Sequence, residues 1–549
     1  MDADTTTRTA EPLDQRRPVG PLSLGVSALK CTLIRCPQTF HAYVSAAPAV
    51  PPIGLAYVAA SLRRAGHAVG VIDTTGAHID RLVPIDRTGR FLRRGLTDDE
   101  ILDRIGDADV IGFSLMFSQD WPVARSLIAK VRERYPDSIL IAGGEHFTAE
   151  PAGALASSDL DYVLVGEGDR VVCDLMEHLQ GKRPLEEIPG VYFRDGNDIR
   201  SSARTARIRD LDALPWPAWD LIPLENYLAG GHGWGVDRGR NMPMNATRGC
   251  PYQCTFCSSP SMWTTRWVAR DPGDVVAEIK HYIAAYGASN FDFQDLTAVI
   301  KKSWIMEFCE RLLAERLAIT WQLPSGTRSE SLDDEVLRML VRSGCTNITY
   351  APESGSTATL QRIKKKVDRE RILRSMRSAV KAGCNVKANF VFGFPGDTYR
   401  DLLASFRYIA RLAAIGVHDI SVPPFRPYPG SELFRELQAK GILPNPLDDA
   451  YYETLATAAE NVPGTWGGAE CYSEHLSATG LERMRTAALA WFFLVSWTLR
   501  PWRVLHLVRA VWTERQESRL DKSLIEMKRR LRQRWKGEPS LSPRVAHPY

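Results

Sequence analysis

Two long blocks of this 549-residue chain alternate short apolar runs with amphipathic stretches, and nothing else in the sequence constrains its fold as strongly. Short apolar runs bounded by turn residues read as buried strands. Stretches with apolar residues at i, i+4 and i+8 read as the helices between them, the pattern of parallel βαβ units. The first block opens near Lys30, with strands expected at 31–36, 69–73, 110–117, 139–142 and 162–165. Leu55, Val58, Ala59 and Leu62 share one helical face, and Arg63, Arg64 and Gly66 close that helix. Asp120 is expected to cap a second helix, with Pro122 in its first turn and Leu127 and Val131 on its core side. The result is a five-stranded, doubly wound α/β sheet ending near Gly190.

In such sheets ligands lie beyond the carboxyl ends of the strands. Those ends are Ser114 with the residues after it, Gly143-Gly144-Glu145-His146 and Gly166-Glu167-Gly168. Glycines there let a flat ligand or its tail approach the backbone. A plain sheet whose glycines only make tight turns is the alternative reading.

Residues 201–227, with Leu214-Pro-Trp-Pro, are too proline-rich for a helix or central strand and read as a linker. The alternation resumes at Met242, with strands expected at 244–247, 290–293, 318–322, 347–351, 386–392 and 418–422. Asp271-Pro272 caps one intervening helix and 304–315 forms another. Six βα units make an open barrel, whose functional groups belong at the carboxyl ends of its strands. Asp295, Gln322, Arg328, Glu353-Ser354-Gly355 and Gly393-Phe-Pro-Gly396 follow those strands.

Between the first and second barrel strands stands Cys250-Pro-Tyr-Gln-Cys254-Thr-Phe-Cys257. Three thiolates leave one iron of a [4Fe–4S] cluster open, and an open iron is a place for chemistry. A zinc site with His232 as fourth ligand is the alternative, although no second Cys/His pair follows downstream.

The C-x3-C-x2-C motif with aromatic Phe256 before its last cysteine resembles the radical S-adenosylmethionine (SAM) superfamily. Pro51-Pro-Ile-Gly-Leu-Ala-Tyr57, Gly143-Gly-Glu-His146 and the Val-Gly-Glu-Gly168 strand end are similar to the cobalamin-binding domain that precedes many radical SAM enzymes. Trp263-Thr-Thr-Arg266 and Ala351-Pro-Glu-Ser-Gly355 are most similar to the group holding the anaerobic magnesium-protoporphyrin ester cyclase and several C-methyltransferases.

The resemblance implies an N-terminal doubly wound, Rossmann-like cobalamin-binding domain, a partial (β/α)6 radical SAM barrel and a helical C-terminal region. The corresponding divisions are 1–28 (a disordered tail), 29–195 (cobalamin), 196–238 (linker), 239–440 (barrel) and 441–549 (helical cap). It implies three cofactors: a [4Fe–4S] cluster on Cys250, Cys254 and Cys257, SAM, and cobalamin. SAM contacts are expected from Phe256, Asp295, Gln322, Arg328, Glu353, Ser354 and Gly393. Cobalamin contacts are expected from Ser114, Gly143, Gly144, Glu145, His146, Gly166, Glu167 and Gly168. The DxHxxG motif that supplies a histidine to cobalt is absent, since Asp73-Thr-Thr-Gly-Ala-His78 does not match it.

The implied activity is transfer of a methyl group from SAM, through methylcobalamin, to an unactivated carbon of a natural-product or lipid-like small molecule. An oxidative cyclase or rearrangement without methyl transfer is the alternative, and a flavodoxin- or ferredoxin-type protein is the expected electron donor. No individual catalytic side chain is singled out.

A net charge of +4 over this length does not point to nucleic acid, and ten cysteines without regular spacing suit a reducing, cytoplasmic setting. After Gly441 the alternation stops. Residues 487–499 are strongly apolar but too short to span a bilayer, and Arg500, Arg503 and 528–532 add basic charge. That region reads as a helical cap closing the barrel mouth, with contact to a membrane surface as the alternative.

Overall fold

The computed structural model describes residues 28–42, 48–85, 89–202, 206–328, 331–456 and 470–535. The polar N-terminal stretch read as a tail lies outside these residues apart from Ala28, as do 457–469 and the last fourteen positions, 536–549.

The first block folds into one sheet of seven strands: β1 (Lys30–Arg35), β2 (Ala68–Asp73), β3 (Val110–Ser114), β4 (Ile139–Gly143), β5 (Tyr162–Leu164), β6 (Val191–Asp195) and β7 (Asp198–Ser201). Their spatial order is β7-β6-β5-β4-β3-β1-β2. β1 to β5 are parallel, as the alternation requires. The sheet does not stop near Gly190. β6 joins β5 antiparallel and β7 returns along β6, so the stretch read as linker begins inside a hairpin. Gly196, at φ +61°, provides the turn. A separate antiparallel sheet of Thr39–His41, Leu82–Pro84 and Phe91–Arg94 was not expected. Its strands are too short to carry a periodic pattern.

Asp120 does not cap the helix Trp121–Arg134. Its buried carboxylate instead accepts from the Thr39 amide at 2.8 Å and the Thr39 hydroxyl at 2.7 Å, tying that small sheet to the main one. Burial pushes its pKa up to about 7, against the pull of those two bonds and of Arg35. A carboxyl whose folded pKa is raised contributes most below its unfolded value near 3.8, and that contribution is lost as pH rises through about 7. Asp120→Asn keeps an acceptor without the charge. Its thermal midpoint is expected to exceed the parent's at pH 8, with the advantage vanishing as pH falls toward about 4. An advantage independent of pH would contradict this.

The second block forms a six-stranded parallel sheet of β8 (Asn241–Met244), β9 (Asn290–Phe293), β10 (Thr320–Thr327), β11 (Cys345–Glu353), β12 (Asn385–Phe390) and β13 (Asp419–Ser421), in that order. This is the partial barrel. Asp271 caps the helix Pro272–Tyr286 as expected, accepting from the amides of Gly273 and Asp274. Side chains alternate across the strands. Ile348, Tyr350, Val386, Ala388, Phe390 and Ile420 join the core under the helices. Asn347, Thr349, Asn385, Lys387 and Asp419 line a cavity toward the amino ends of the strands, which Glu517 and Ser518 also border.

The helices Ala478–Leu499 and Trp502–Thr513 follow the barrel flank, whereas the helix Asp449–Ala456 packs at the strands' carboxyl side, Tyr451 donating to the Pro427 carbonyl and Tyr452 lying against His146. Ala478–Leu499 starts near the barrel mouth, with Leu481 against Gly393, and then runs down the flank along the helix Tyr399–Ile415. Leu481, Arg485, Ala488, Phe492 and Ser496 form its buried stripe. At the lower end Arg500 donates to the carbonyls of Ala413 and Ala414, and Arg503 to those of Gly416 and Val417. Guanidinium groups are drawn to the unsatisfied carbonyls at a helix end, and this fixes the direction of the chain. The chain then reaches the barrel base, where Asn347 donates to the Glu517 carbonyl at 3.3 Å. No helix among the described residues is long and apolar enough to cross a membrane.

Candidate functional site

The three clustered cysteines sit on a loop closed by its own flanks. Thr247–Arg248 pairs antiparallel with Val268–Ala269, so residues 249–267 leave and re-enter the barrel edge at one place. Asp295 secures the entry. Its carboxylate accepts from the Ala246 and Thr247 amides and from the Thr247 hydroxyl, the last at 2.6 Å, and burial pushes its pKa up to about 6.

Gly249 turns the chain into the loop at φ +89°, and a Cβ there would stand 2.1 Å from the Arg266 carbonyl oxygen. Both the backbone conformation and the space exclude a side chain. Gly249→Ala is therefore expected to shift Cys250 and to lower the iron retained after anaerobic reconstitution by half or more. Full iron content in that variant would contradict the expectation.

Within the loop the Cys257 amide donates to the Cys254 carbonyl, and the Thr297 hydroxyl donates to the Cys250 sulfur at 3.4 Å. Phe256 packs on Phe394, ring centres 5.3 Å apart, and the Thr255 amide bonds the Ile363 carbonyl. Burial pushes the Cys254 thiol up to about 11, with Lys365 pulling it down. It raises Cys257 as well, opposed by hydrogen bonds from Ser259.

Glu353, the last residue of β11, carries a positive φ of +62°. A non-glycine residue held there at a strand end is a strained position of the kind found at binding sites. Its carboxylate meets the Lys365 ammonium at 2.9 Å, both side chains 8% exposed. Burial opposes the charge on Lys365, but Glu353 and Cys254 outweigh it and hold the pKa above the ordinary lysine value. Arg328 stacks on the loop, its guanidinium 3.4 Å from the centre of the Tyr252 ring, and it donates to the Lys366 carbonyl. Arg328, Glu353 and Cys254 thus gather around Lys365. Ser354 stands behind them, its hydroxyl 3.3 Å from that of Ser405, and Gly393 abuts Leu481.

Gln322 is elsewhere. β10 runs on to Thr327, so Gln322 lies near its start, where the amide side chain brackets Val236 by accepting from its N–H and donating to its carbonyl. A register shift between Leu323 and Thr327 accommodates the Pro-Ser-Gly segment that reads as a turn in sequence.

The carboxyl edge of the first sheet faces this loop. Ser258, next to Cys257, donates to Glu145. Buried Glu167 accepts from Arg207 at 2.6 Å and from Arg248 at 3.3 Å, and Arg248 also grips Asp169 at 2.7 and 3.1 Å. Arg248 lies over the rings of Tyr57 and Trp263, and Arg207 donates to the carbonyl of Arg266. Two guanidiniums and two carboxylates, all withdrawn from water, clamp the flanks of the cysteine loop to the Gly166–Gly168 turn. In sequence Glu167 reads as a ligand contact; its carboxylate is spent on this clamp. Gly144, at φ +121°, packs on the Leu115 carbonyl.

His146 turns inward, 1% exposed, with Nδ1 3.0 Å from the Ser118 hydroxyl and its ring against Trp121 and Phe147. Burial lowers its pKa to about 3. Ser114 and Gly143 pair across the strand ends, and Met116 beyond them is 57% exposed.

The three cysteines have the chemistry of the expected cluster, although among the described residues no three His, Cys, Asp or Glu side chains already converge on one metal position. Three thiols share one braced loop beside a buried acid–base pair, and beyond β3 the first sheet leaves an apolar side chain open next to glycine-lined turns. Arg207, Arg248, Asp169 and Lys365 carry no linear signal of their own, although Arg248 adjoins the motif and Asp169 follows the Gly166–Gly168 turn.

Comparison with known proteins finds two domains in this order. Residues 42–176 match the B12 binding domain and residues 244–409 the radical SAM superfamily. Cytidylyl-2-hydroxyethylphosphonate methyltransferase of Streptomyces wedmorensis is 29% identical over 452 residues, 76% of this chain and 83% of that one. The anaerobic magnesium-protoporphyrin IX monomethyl ester cyclase of Synechocystis is 29% identical over 341 residues, 59% of this chain and 61% of that one. In fold the chain is similar to the radical SAM methyltransferase TsrM of Kitasatospora setae, solved with cobalamin and a [4Fe–4S] cluster. That match has TM-score 0.61 and 17% identity, covering 85% of this chain and 89% of that one.

Proposed function

Because this chain is a radical SAM enzyme with a B12-binding domain ahead of its barrel, we propose that it methylates an unactivated carbon of a small natural-product or lipid-like substrate, taking the methyl group from SAM. The two domains imply a [4Fe–4S] cluster, SAM and cobalamin. When bound, the cluster supplies the electron that cleaves SAM and the corrinoid carries the methyl group. Cys250, Cys254 and Cys257 hold the cluster. Arg328 and Glu353, with Lys365 between them, hold the amino-acid end of SAM by charge-assisted hydrogen bonds. Phe256, Ser354 and Gly393 shape the wall around it, and Asp295 keeps the loop entry in place. Ser114 and the glycines at 143, 144, 166 and 168 let the corrin approach the sheet edge, with Glu145 beside the cysteine loop. Gln322 and His146 support the walls rather than touching either cofactor.

The observation that carries this reading is the four-residue clamp of Arg207, Arg248, Glu167 and Asp169. It binds the cysteine loop to the edge where a corrinoid belongs, so that both reagents serve one substrate. A flavodoxin- or ferredoxin-type reductant completes the reading. Oxidative cyclisation without methyl transfer is the second reading, favoured by the cyclase among the relatives.

SAM carrying a deuterated methyl group separates the two. With reconstituted enzyme and a whole small-molecule extract of cells, water-soluble and lipid fractions both included, methylation gives a product heavier by the labelled methyl. A product that has lost hydrogen and gained no label would establish cyclisation instead.

A further inference from the structure

The helix Trp502–Thr513 turns its apolar side outward. Of its twelve residues only Ala510 is buried. Leu505, Val508 and Trp512 are 72, 61 and 83% exposed, and the helical period sets them on one face. Trp502, three residues before Leu505, is 53% exposed on the same face, and Leu494 on the preceding helix is 60% exposed. Its polar anchor points inward, Arg503 bonding the Gly416 and Val417 carbonyls and the Ser496 hydroxyl. A soluble surface helix is normally built the other way round. Contiguous exposed apolar patches of this kind mark interaction sites.

Charge selects the occupant. His506, Arg509 and Arg515 are exposed around the stripe. Residues 481–549 hold 15 Lys and Arg against 6 Asp and Glu, in a chain whose net charge is only +4. A second copy would bring like charge against like, whereas an anionic surface is attracted. Two tryptophans, each with an apolar body and one N–H donor, suit a boundary between hydrocarbon and headgroups. No helix among the described residues is long and apolar enough to enter further.

We infer that the helices Ala478–Leu499 and Trp502–Thr513 dock the protein flat on an anionic lipid surface, with Trp502, Leu505, Val508 and Trp512 seated at the headgroup boundary. This docking does not depend on the reaction, and its test uses no substrate.

The full-length protein is floated with vesicles of phosphatidylcholine alone and of phosphatidylcholine with phosphatidylglycerol, at about 0.15 M salt. The protein is expected to rise with the anionic vesicles and to do so less as salt increases. Leu505→Glu with Trp512→Glu is expected to weaken that binding at least about ten-fold. Both side chains are exposed, so the thermal midpoint should stay unchanged. Arg509→Glu with Arg515→Glu should remove the preference for anionic lipid while leaving the apolar stripe intact. Failure of the intact protein to float with anionic vesicles would overturn the inference. So would sedimentation showing a dimer that Leu505→Glu with Trp512→Glu dissolves, since a second copy would then cover the face.

Discussion

Replacing any one of Cys250, Cys254 or Cys257 with alanine is expected to abolish SAM cleavage and leave the rest of the molecule folded. The three thiols lie on one loop whose flanks are fixed by the Thr247–Ala269 and Arg248–Val268 pairs, so losing one side chain does not release the loop. None of the other seven cysteines stands in for a lost ligand. Cys31, Cys36, Cys309, Cys345 and Cys384 are buried in the cores, and Cys173 and Cys471 lie on segments outside the loop. Iron and sulfide content, the visible absorption of the reconstituted protein and 5′-deoxyadenosine output should all fall to background. Cys309→Ala is the control. It removes a buried side chain at a cost of about 1–3 kcal/mol and should keep both iron and SAM cleavage. A cysteine-loop variant that still cleaves SAM would show that the cluster is held elsewhere.

The second large effect is expected at Arg248. Among the described residues its guanidinium is the group that touches both Glu167 and Asp169, and it is withdrawn from water against Tyr57 and Trp263. Arg248→Met takes from buried Asp169 its guanidinium partner and leaves Glu167 with Arg207 alone of the two, and breaking a buried pair of this kind costs about 3–5 kcal/mol. Because the lost contacts join the cysteine loop to the first sheet, the cost should appear as uncoupling. A single calorimetric transition would divide into two, and cobalamin would be lost on gel filtration. Arg248→Lys should recover only part of this, since one ammonium cannot reproduce the fork that spans both acids. Arg248→Met with a single unshifted transition would remove the clamp from the account.

Much of the architecture is legible in sequence because parallel sheets buried on both faces write near-continuous apolar runs. The five parallel strands of the first sheet and five of the six in the barrel are found that way, whereas the first barrel strand, expected at 244–247, lies at Asn241–Met244. What is missed lacks that imprint. The three strands of the small sheet are three or four residues long, too short for a period to develop. β10 and β11 extend beyond their apolar runs through register irregularities, which is why Gln322 reads as a strand end and lies near a strand start. Asp120 stands before a helix with proline in its first turn, a good capping pattern, yet Thr39 from a distant segment takes its carboxylate.

At the site, the cysteine loop and Glu353 are marked by motif and by position at a strand end. Lys365 is not, because it returns to Glu353 only after the intervening helix Thr357–Arg362 has folded. The C-terminal helices are legible as helices but not in their placement. Their route down the flank is set by Arg500 and Arg503 meeting the carbonyls at one helix end, a contact with no linear trace.

The central claim is that one site cleaves SAM in two ways, for a radical and for a methyl group. It is tested most directly by measuring 5′-deoxyadenosine and S-adenosylhomocysteine in the same anaerobic reaction, with and without cobalamin. The reaction contains reconstituted protein, SAM, a strong reductant and an extract of the source cells. The account predicts comparable amounts of both products, with S-adenosylhomocysteine lost when cobalamin is omitted. Deoxyadenosine formed alone, at the same rate with and without the corrinoid, would contradict it.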